Sequence, residues 1–155
     1  MAVEIERKFL VKNELWREHV ISSSKIRQSY LSCRANAAVR VRIADHKAYL
    51  TIKGATVGIS RSEFEYEIPL ADAESMLDLR HGGSVIEKTR YRVRCGDHIW
   101  DLDIFYGDNS GLQMAEVELG SESEEFQIPE WAAEEVTADN RYSNSSLAMH
   151  PFSSW

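Results

Sequence analysis

The sequence predicts a mainly β protein, α+β by class, with its strands arranged antiparallel. Three observations predict it. Charged and apolar residues alternate at every second position along stretch after stretch, the period of a strand with two unlike faces. Short turn signals rich in Asp, Asn and Gly separate those stretches, so neighbours pair as hairpins. Stretches with helical spacing are few and short.

Residues 3–10 open the chain as a strand, with Glu4, Glu6 and Lys8 on one face and Val3, Ile5 and Phe9 on the other. Asn13 caps a short helix over 14–20, and Glu14 favours its first turn. The serines at 22–24 read as a loop, followed by a strand over 26–34 with Gln28, Tyr30 and Ser32 on one face. Asn36 marks a turn. Residues 39–43 alternate strictly and carry Arg40 and Arg42 between β-branched neighbours. Asp45-His46 turns the chain into a strand over 48–53 that ends on Lys53. Gly54 and Gly58 bracket a loop, and the strand over 61–69 carries Arg61, Glu63, Glu65 and Glu67 before Pro69 ends it.

Ala73, Met76, Leu77 and Leu79 lie near helical spacing over 72–80, and Gly82-Gly83 stops that helix. The strand over 85–95 carries Lys88, Arg90, Arg92 and Arg94 at alternate positions. Gly96-Asp97 turns it into a strand over 99–106 with Asp101 and Asp103. After a loop at 108–111, the strand over 114–119 carries Glu116 and Glu118, and Gly120 closes it. The remainder differs in kind. Acidic residues at 121–125 open a short helix, Pro129 starts another around 131–136, and a third covers 143–149. No repeat, low-complexity run or linker divides the chain, so residues 1–155 read as one domain.

Composition narrows the class. The chain of 155 residues is 43% apolar and 28% charged, enough for a real core in a globular protein. No apolar run approaches the roughly eighteen residues of a membrane-spanning helix, and no apolar h-region follows the N-terminus, so no membrane partner is expected. Cys33 and Cys95 lack metal-ligand spacing and read as free thiols of a reducing, cytoplasmic compartment. The five histidines show no ligand spacing either and read as surface or turn residues. A net charge of −7 argues against a broad nucleic-acid-binding surface. It leaves room for a concentrated basic site.

The recurring charge is the informative feature. Solvated faces mix Thr, Ser, Lys and Glu, whereas here charge holds one face over successive alternations, with arginine dominant and acids in pairs. Arginine's planar fork suits phosphate oxygens, and paired carboxylates suit a hard divalent cation. Two arrangements remain open on this pattern. The strands form an open sheet with its charged face in water, or they close into a barrel whose charged faces point inward. In the barrel, helices or a second copy in a homodimer must cover the apolar outer faces.

Glu4-Ile5-Glu6-Arg7-Lys8 matches the ExExK signature of the CYTH family, the triphosphate tunnel metalloenzymes. Val39-Arg40-Val41-Arg42, Thr51-Ile52-Lys53-Gly54, residues 63–69, Lys88-Thr89-Arg90-Tyr91 and Ala115-Glu116-Val117-Glu118-Leu119 resemble the family's later motifs, in order. Residues 100–105, Glu135-Val136-Thr137 and Arg141-Tyr142-Ser143-Asn144 resemble its short bacterial members. The resemblance implies an eight-stranded antiparallel closed β-barrel tunnel with a charged interior, flanked by a few helices. It also implies a triphosphate-bearing substrate and Mg²⁺ or Mn²⁺.

That resemblance implies a metal-dependent inorganic triphosphatase that hydrolyses the terminal phosphate. The alternatives are a class IV adenylate cyclase or other organic-triphosphate hydrolase, and a non-catalytic polyphosphate-binding module. Lys8, Arg40, Arg42, Lys53, Lys88 and Arg90 are expected to hold phosphate oxygens, with Arg92 towards a tunnel mouth. Glu4, Glu6, Glu116 and Glu118 are the expected metal ligands, with Asp101 a further one. Glu6, Lys8, Glu63 and Glu65 are the expected catalytic group, with Glu63 and Glu65 positioning water or pairing with the arginines. Lys8 has two readings. In the family it is discussed as the residue that activates the attacking water. The acids beside it stabilise its ammonium and favour a phosphate contact.

Overall fold

The structure, a computed structural model, describes residues 3–155. The strands are β1 (Val3–Val11), β2 (Val20–Arg34), β3 (Ala37–Ala44), β4 (Lys47–Val57), β5 (Ser60–Ile68), β6 (Ile86–Cys95), β7 (His98–Phe105), β8 (Gln113–Glu118) and β9 (Ala132–Glu135). The α-helices are α1 (Leu70–Leu77) and α2 (Asn144–Met149). Around the sheet the order is β5-β4-β3-β2-β6-β7-β8-β1, and β1 pairs back to β5. Val3, Glu4 and Ile5 face Ser62, Arg61 and Ser60 across that closing seam. Every barrel pairing is antiparallel, so the expected eight-stranded barrel is the observed one.

The hairpins have local causes. Asp45 takes a left-handed φ of 54° in the β3–β4 turn, and its carboxylate accepts the Lys25 backbone N–H at 2.9 Å. Gly58 and Gly96 supply the positive φ for the β4–β5 and β6–β7 turns.

Five expectations change. Residues 22–24 are strand rather than loop, because they pair with Arg92, Tyr91 and Arg90 of β6. Gly54 likewise lies inside β4, which runs on to Val57. The helix expected around 131–136 is the strand β9. Its Ala- and Glu-rich sequence favours helix, but β1 leaves β5 after Ile5 and exposes an unpaired backbone edge. β9 fills that edge, with Phe9 opposite Glu135 and Val11 opposite Ala132. Residues 121–125 form turns instead of a helix, where Glu124 accepts the Gly120 N–H at 2.7 Å. The segment before β2 is a 3-10 turn, Leu15–His19.

Apolar packing covers most of the outside. Trp16 and Trp131 bury against Phe9, Val93, Trp100, Leu102 and Val117, with Phe126 at the margin. Buried aromatics of this size contribute roughly 2–3 kcal/mol each. Ala73 and Leu77 of α1 cover Val41, Ile43 and Ala48. At one end of the barrel, Leu147 and Ala148 of α2 pack with Tyr142 on Ile86, Phe105 and Met114. Those three share strand parity with Lys88, Asp103 and Glu116, so the interior turns apolar at that end and α2 stoppers it. Ile52, Phe64 and Tyr66, on the outer face of β4 and β5, stay exposed. Among the described residues, no helix is long and apolar enough to cross a membrane.

Candidate functional site

The barrel interior holds a cavity of about 500 Å³. Alternation puts Glu4, Glu6 and Lys8 of β1 into it, with Arg40 and Arg42 of β3 and Lys53 of β4. β5 adds Arg61, Glu63 and Glu65, β6 adds Arg90, and β7 and β8 add Asp101, Glu116 and Glu118. The charged faces therefore point inward, and the open-sheet alternative is set aside.

Strand order sorts the charge. β4, β3, β2 and β6 are contiguous and present Lys53, Arg40, Arg42, Lys88 and Arg90. β7, β8, β1 and β5 complete the circle and present Asp101, Asp103, Glu116, Glu118, Glu4, Glu6, Glu63 and Glu65. One half of the wall is basic and the other acidic. Lys8, opposite Glu116 in the β1–β8 pair, is a cation set among the acids. Arg61 turns its guanidinium to the Gly54 carbonyl oxygen at 3.0 Å.

The basic half is fixed by hydrogen bonds. Arg40 Nη2 donates to Thr51 Oγ1 at 3.1 Å and to Glu65 Oε2 at 3.3 Å. Its Nε is buried without a partner among the described residues, a donor that an anion's oxygen would satisfy. Asp103, 1% exposed, accepts Arg90 Nε at 2.8 Å, Arg90 Nη2 at 2.9 Å and Lys88 Nζ at 2.8 Å. Lys88 thus sits behind the cavity wall rather than on it. Arg92 is half-exposed at the barrel edge, with Nε 3.9 Å from Asp101.

Titration follows from the sorting. Burial pushes Lys88 down to about 7, since Arg90 shares its counter-ion Asp103 and adds positive charge. Burial, Arg40 and Arg90 bring Arg42 down to about 9. On the acidic side, burial together with Glu116 and Glu4 pushes Glu6 up to about 8. Burial and a hydrogen bond with Glu4 push Glu63 up to about 7. Burial also works to raise Glu4, but that bond and the Lys53 ammonium, 2.9 Å away, bring it down to about 2. Asp101 and Glu118 rise through burial and neighbouring acids. Burial would lower Lys8, but Glu116 and Glu6 outweigh it and hold the ammonium charged.

The acidic set offers oxygen donors only, the chemistry that Mg²⁺ or Mn²⁺ prefers. Among the described residues, no three acids or histidines gather closely enough to wrap an ion by themselves. The carboxylates flank one side and would supply part of an ion's oxygen ligands, the share that protein commonly provides to Mg²⁺. The raised Glu6 marks where added positive charge would be most welcome. The residues fit a hard divalent cation.

Glu4, Glu6, Lys8, Arg40, Arg42, Lys53, Glu63, Glu65, Arg90, Asp101, Glu116 and Glu118 converge on one cavity, while Lys88 and Arg92 lie outside its lining. The charge pattern of the sequence assigns no role to Asp103, Tyr30 or Asn144. Asp103 shares its face with Asp101, and Tyr30 shares its face with Gln28, so alternation carried a signal for both. Asn144 comes from α2, and no periodicity connects a helix start to a barrel wall.

Comparison with known proteins places these features among relatives. The family model for the CYTH domain matches residues 2–148. A protein of Acetivibrio thermocellus named inorganic triphosphatase is 41% identical over 152 residues, covering 98% of this chain and 97% of its own. One of Nitrosomonas europaea with the same name is 37% identical over 150 residues, covering 94% and 97%. A crystal structure of an inorganic triphosphatase superposes with a TM-score of 0.70 at 34% identity, covering 96% of each chain.

Proposed function

We propose, from the premise that this chain belongs to the CYTH domain family, that it is a metal-dependent inorganic triphosphatase releasing the terminal phosphate of triphosphate. The observation that carries the reading is the divided cavity, one wall basic and the facing wall acidic. A polyanion alone would want only the first wall. A polyanion with a divalent cation wants both.

In this reading Arg40, Arg42, Lys53, Arg90 and Lys8 hold phosphate oxygens, and Lys88 adds its field from behind the wall. Positioning and charge stabilisation provide most of the catalysis in phosphoryl transfer. Glu6, Glu116 and Glu118, with Glu4 and Asp101 beside them, hold Mg²⁺ or Mn²⁺. Bound there, the ion would neutralise negative charge as it develops on the phosphates. Glu63 and Glu65 orient Lys53 and Arg40, to which they lie at 3.8 and 3.3 Å. Lys8, held protonated by its acids, contacts phosphate. Arg92 guides the anion at the mouth.

Tyr30 is the sole aromatic among the described lining residues, so the cavity offers little to stack a nucleobase. That favours inorganic triphosphate over ATP and over adenylate cyclisation. We take residues 1–155 as one such domain. The unpaired thiols Cys33 and Cys95 support a cytoplasmic setting.

The test is phosphate release from triphosphate, ATP, thiamine triphosphate and longer polyphosphate, each with Mg²⁺ and Mn²⁺. Triphosphate should lead. Glu116→Ala or Glu118→Ala should raise the metal concentration needed, and Arg40→Ala should raise KM. Full activity in all three variants would sink the site assignment, and cyclic AMP from ATP would move the activity to the cyclase class.

A further inference from the structure

Two neutral amides run between the cations of the basic wall. Gln28 of β2 is fully buried. Its Oε1 accepts Arg42 Nε at 2.7 Å, and its Nε2 donates to Asn144 Oδ1 at 3.0 Å. The same Asn144 oxygen accepts Lys88 Nζ at 2.9 Å. The Arg42 guanidinium and the protonated Lys88 ammonium carry donors alone, so in that state they dictate how both amides turn. Gln28 must give its oxygen to Arg42 and its NH2 to Asn144, and Asn144 must give its oxygen to Gln28 and Lys88. The Asn144 NH2 is thereby left outside the relay, on a residue that lines the cavity.

We propose that Gln28 and Asn144 are positioning residues, and that the relay Arg42–Gln28–Asn144–Lys88 sets the phosphate-binding wall and ties it to the docking of α2. The inference rests on the triphosphatase reading for the identity of the anion. Arg42 meets no carboxylate in the relay. Its Nε is engaged by Gln28, which orients the guanidinium and leaves its Nη nitrogens for a phosphate fork. Holding a long cationic side chain in place before the anion arrives removes its immobilisation from the cost of binding. Asn144 stands at the start of α2, behind the Ser143 hydroxyl that caps the helix by accepting the Ser146 N–H. The helix that stoppers the barrel therefore also carries the central link of the relay. If α2 shifts, Gln28 loses its acceptor, and the orientation of Arg42 loosens with it.

Triphosphate binding to the full-length protein, measured by calorimetry in metal-free buffer, tests the relay alongside phosphate release with Mg²⁺. Gln28→Met keeps length and removes the amide, and Asn144→Ala removes the central acceptor. Each should weaken triphosphate binding about tenfold to a hundredfold, the range of a lost hydrogen bond to a charged group, with KM changing more than kcat. Because one break frees Arg42, the double variant should be no more than about threefold worse than the weaker single one. Phe126→Ala, which loosens the cluster outside β1 and β7 on the other half of the barrel, should melt earlier and bind normally. Asn144 is only half-buried, so Asn144→Ala carries the test if Gln28→Met fails to fold. Wild-type binding by Asn144→Ala, losses that multiply in the double variant, or an equal binding loss in Phe126→Ala would each overturn the proposal. A wild type that binds triphosphate but releases no phosphate refutes the function and leaves the binding arm to judge the relay. A wild type that does not bind triphosphate refutes both.

Discussion

Asp103 gives the sharpest stability test, because one buried carboxylate satisfies two cations. It accepts Arg90 through two nitrogens and Lys88 through a third, all within 2.9 Å. Asp103→Asn keeps the shape but removes the charge and aims an NH2 at groups that only donate. Leaving buried charge unpaired costs about 3–5 kcal/mol. For a chain of 155 residues, each kcal/mol moves Tm by about 2–4 °C, so the variant should melt about 6–20 °C lower.

The sign of its pH dependence follows from the partners. Asp103 is held well below the usual carboxylate range by Arg90 and Lys88 against the raising effect of burial, so wild type keeps its contribution until strongly acid pH. Lys88 stands at about 7 with Asp103 present, and removing the carboxylate lowers it further. Between its folded and unfolded pKa values the unfolded chain holds the extra proton, so stability rises with pH there. The deficit of Asp103→Asn should therefore be larger at pH 5.5 than at pH 8.5, where Lys88 is neutral in both proteins. Lys88→Met should recover part of the loss in the double variant. Thermal melts by circular dichroism at the two pH values decide it. A fall under about 3 °C at both, or a larger fall at pH 8.5, would refute the account of this cluster.

Glu6, pushed up to about 8, must lose a proton before it ligates, so Mn²⁺ affinity should rise between pH 6 and 8.5 with proton release; a flat calorimetric profile contradicts this. The same raised pKa means that folding favours protonated Glu6, a contribution lost as pH climbs through 8. Glu6→Gln should then raise the metal-free Tm at pH 8.5 while weakening metal binding. Lys8→Ala should raise KM for triphosphate more than it lowers kcat, because its ammonium stays charged; abolished turnover at unchanged affinity would make Lys8 the base instead. Gly83 has φ +66°, and a Cβ there would lie 2.4 Å from the Ala148 carbonyl oxygen. Gly83→Ala should thus cost about 2–4 kcal/mol and loosen α2, visible as faster amide exchange in that helix; an unchanged melt would count against the packing described.

Most of the barrel was legible because alternation is a local signal. Val39-Arg40-Val41-Arg42 states its two faces without any partner, and Asp45-His46 and Gly96-Asp97 announce their hairpins. What alternation cannot give is the sign of a face, inward or outward, since a strand reads the same either way. Closure between β1 and β5 is equally silent, because Glu4 meets Arg61 only after the other six strands of the barrel have been placed. β9 runs against its own helix-favouring residues because its pull towards β1 lies in an unpaired edge elsewhere in the chain. Lys88 and Arg90 look alike in the sequence. Only the depth of the neighbouring α2 plug separates the buried one from the one in the cavity.

The divided wall also explains which groups stay unsatisfied without a ligand. Basic and acidic strands meet at two seams, β4 with β5 and β6 with β7. The close pairs belong to strands at those seams or reach across them. Lys53 lies against Glu63 and Glu4, Arg40 against Glu65, and Arg90 and Lys88 against Asp103. On the middle strands β3 and β1, Arg40 and Glu4 still reach an opposite charge at 3.3 and 2.9 Å, but Arg42 and Glu6 find none so close. Arg42, in the basic middle, has a neutral glutamine as partner and is pulled down to about 9. Glu6, in the acidic middle, has Lys8 no nearer than 3.8 Å and is pushed up to about 8. The protein pairs charges that can reach across a seam and leaves Arg42 and Glu6 frustrated among like neighbours. The two frustrated centres ask for opposite remedies, an anion beside Arg42 and a cation beside Glu6. A triphosphate with its divalent ion supplies both at once. Either alone would relieve one wall and leave the other strained, so metal and triphosphate should bind with positive coupling.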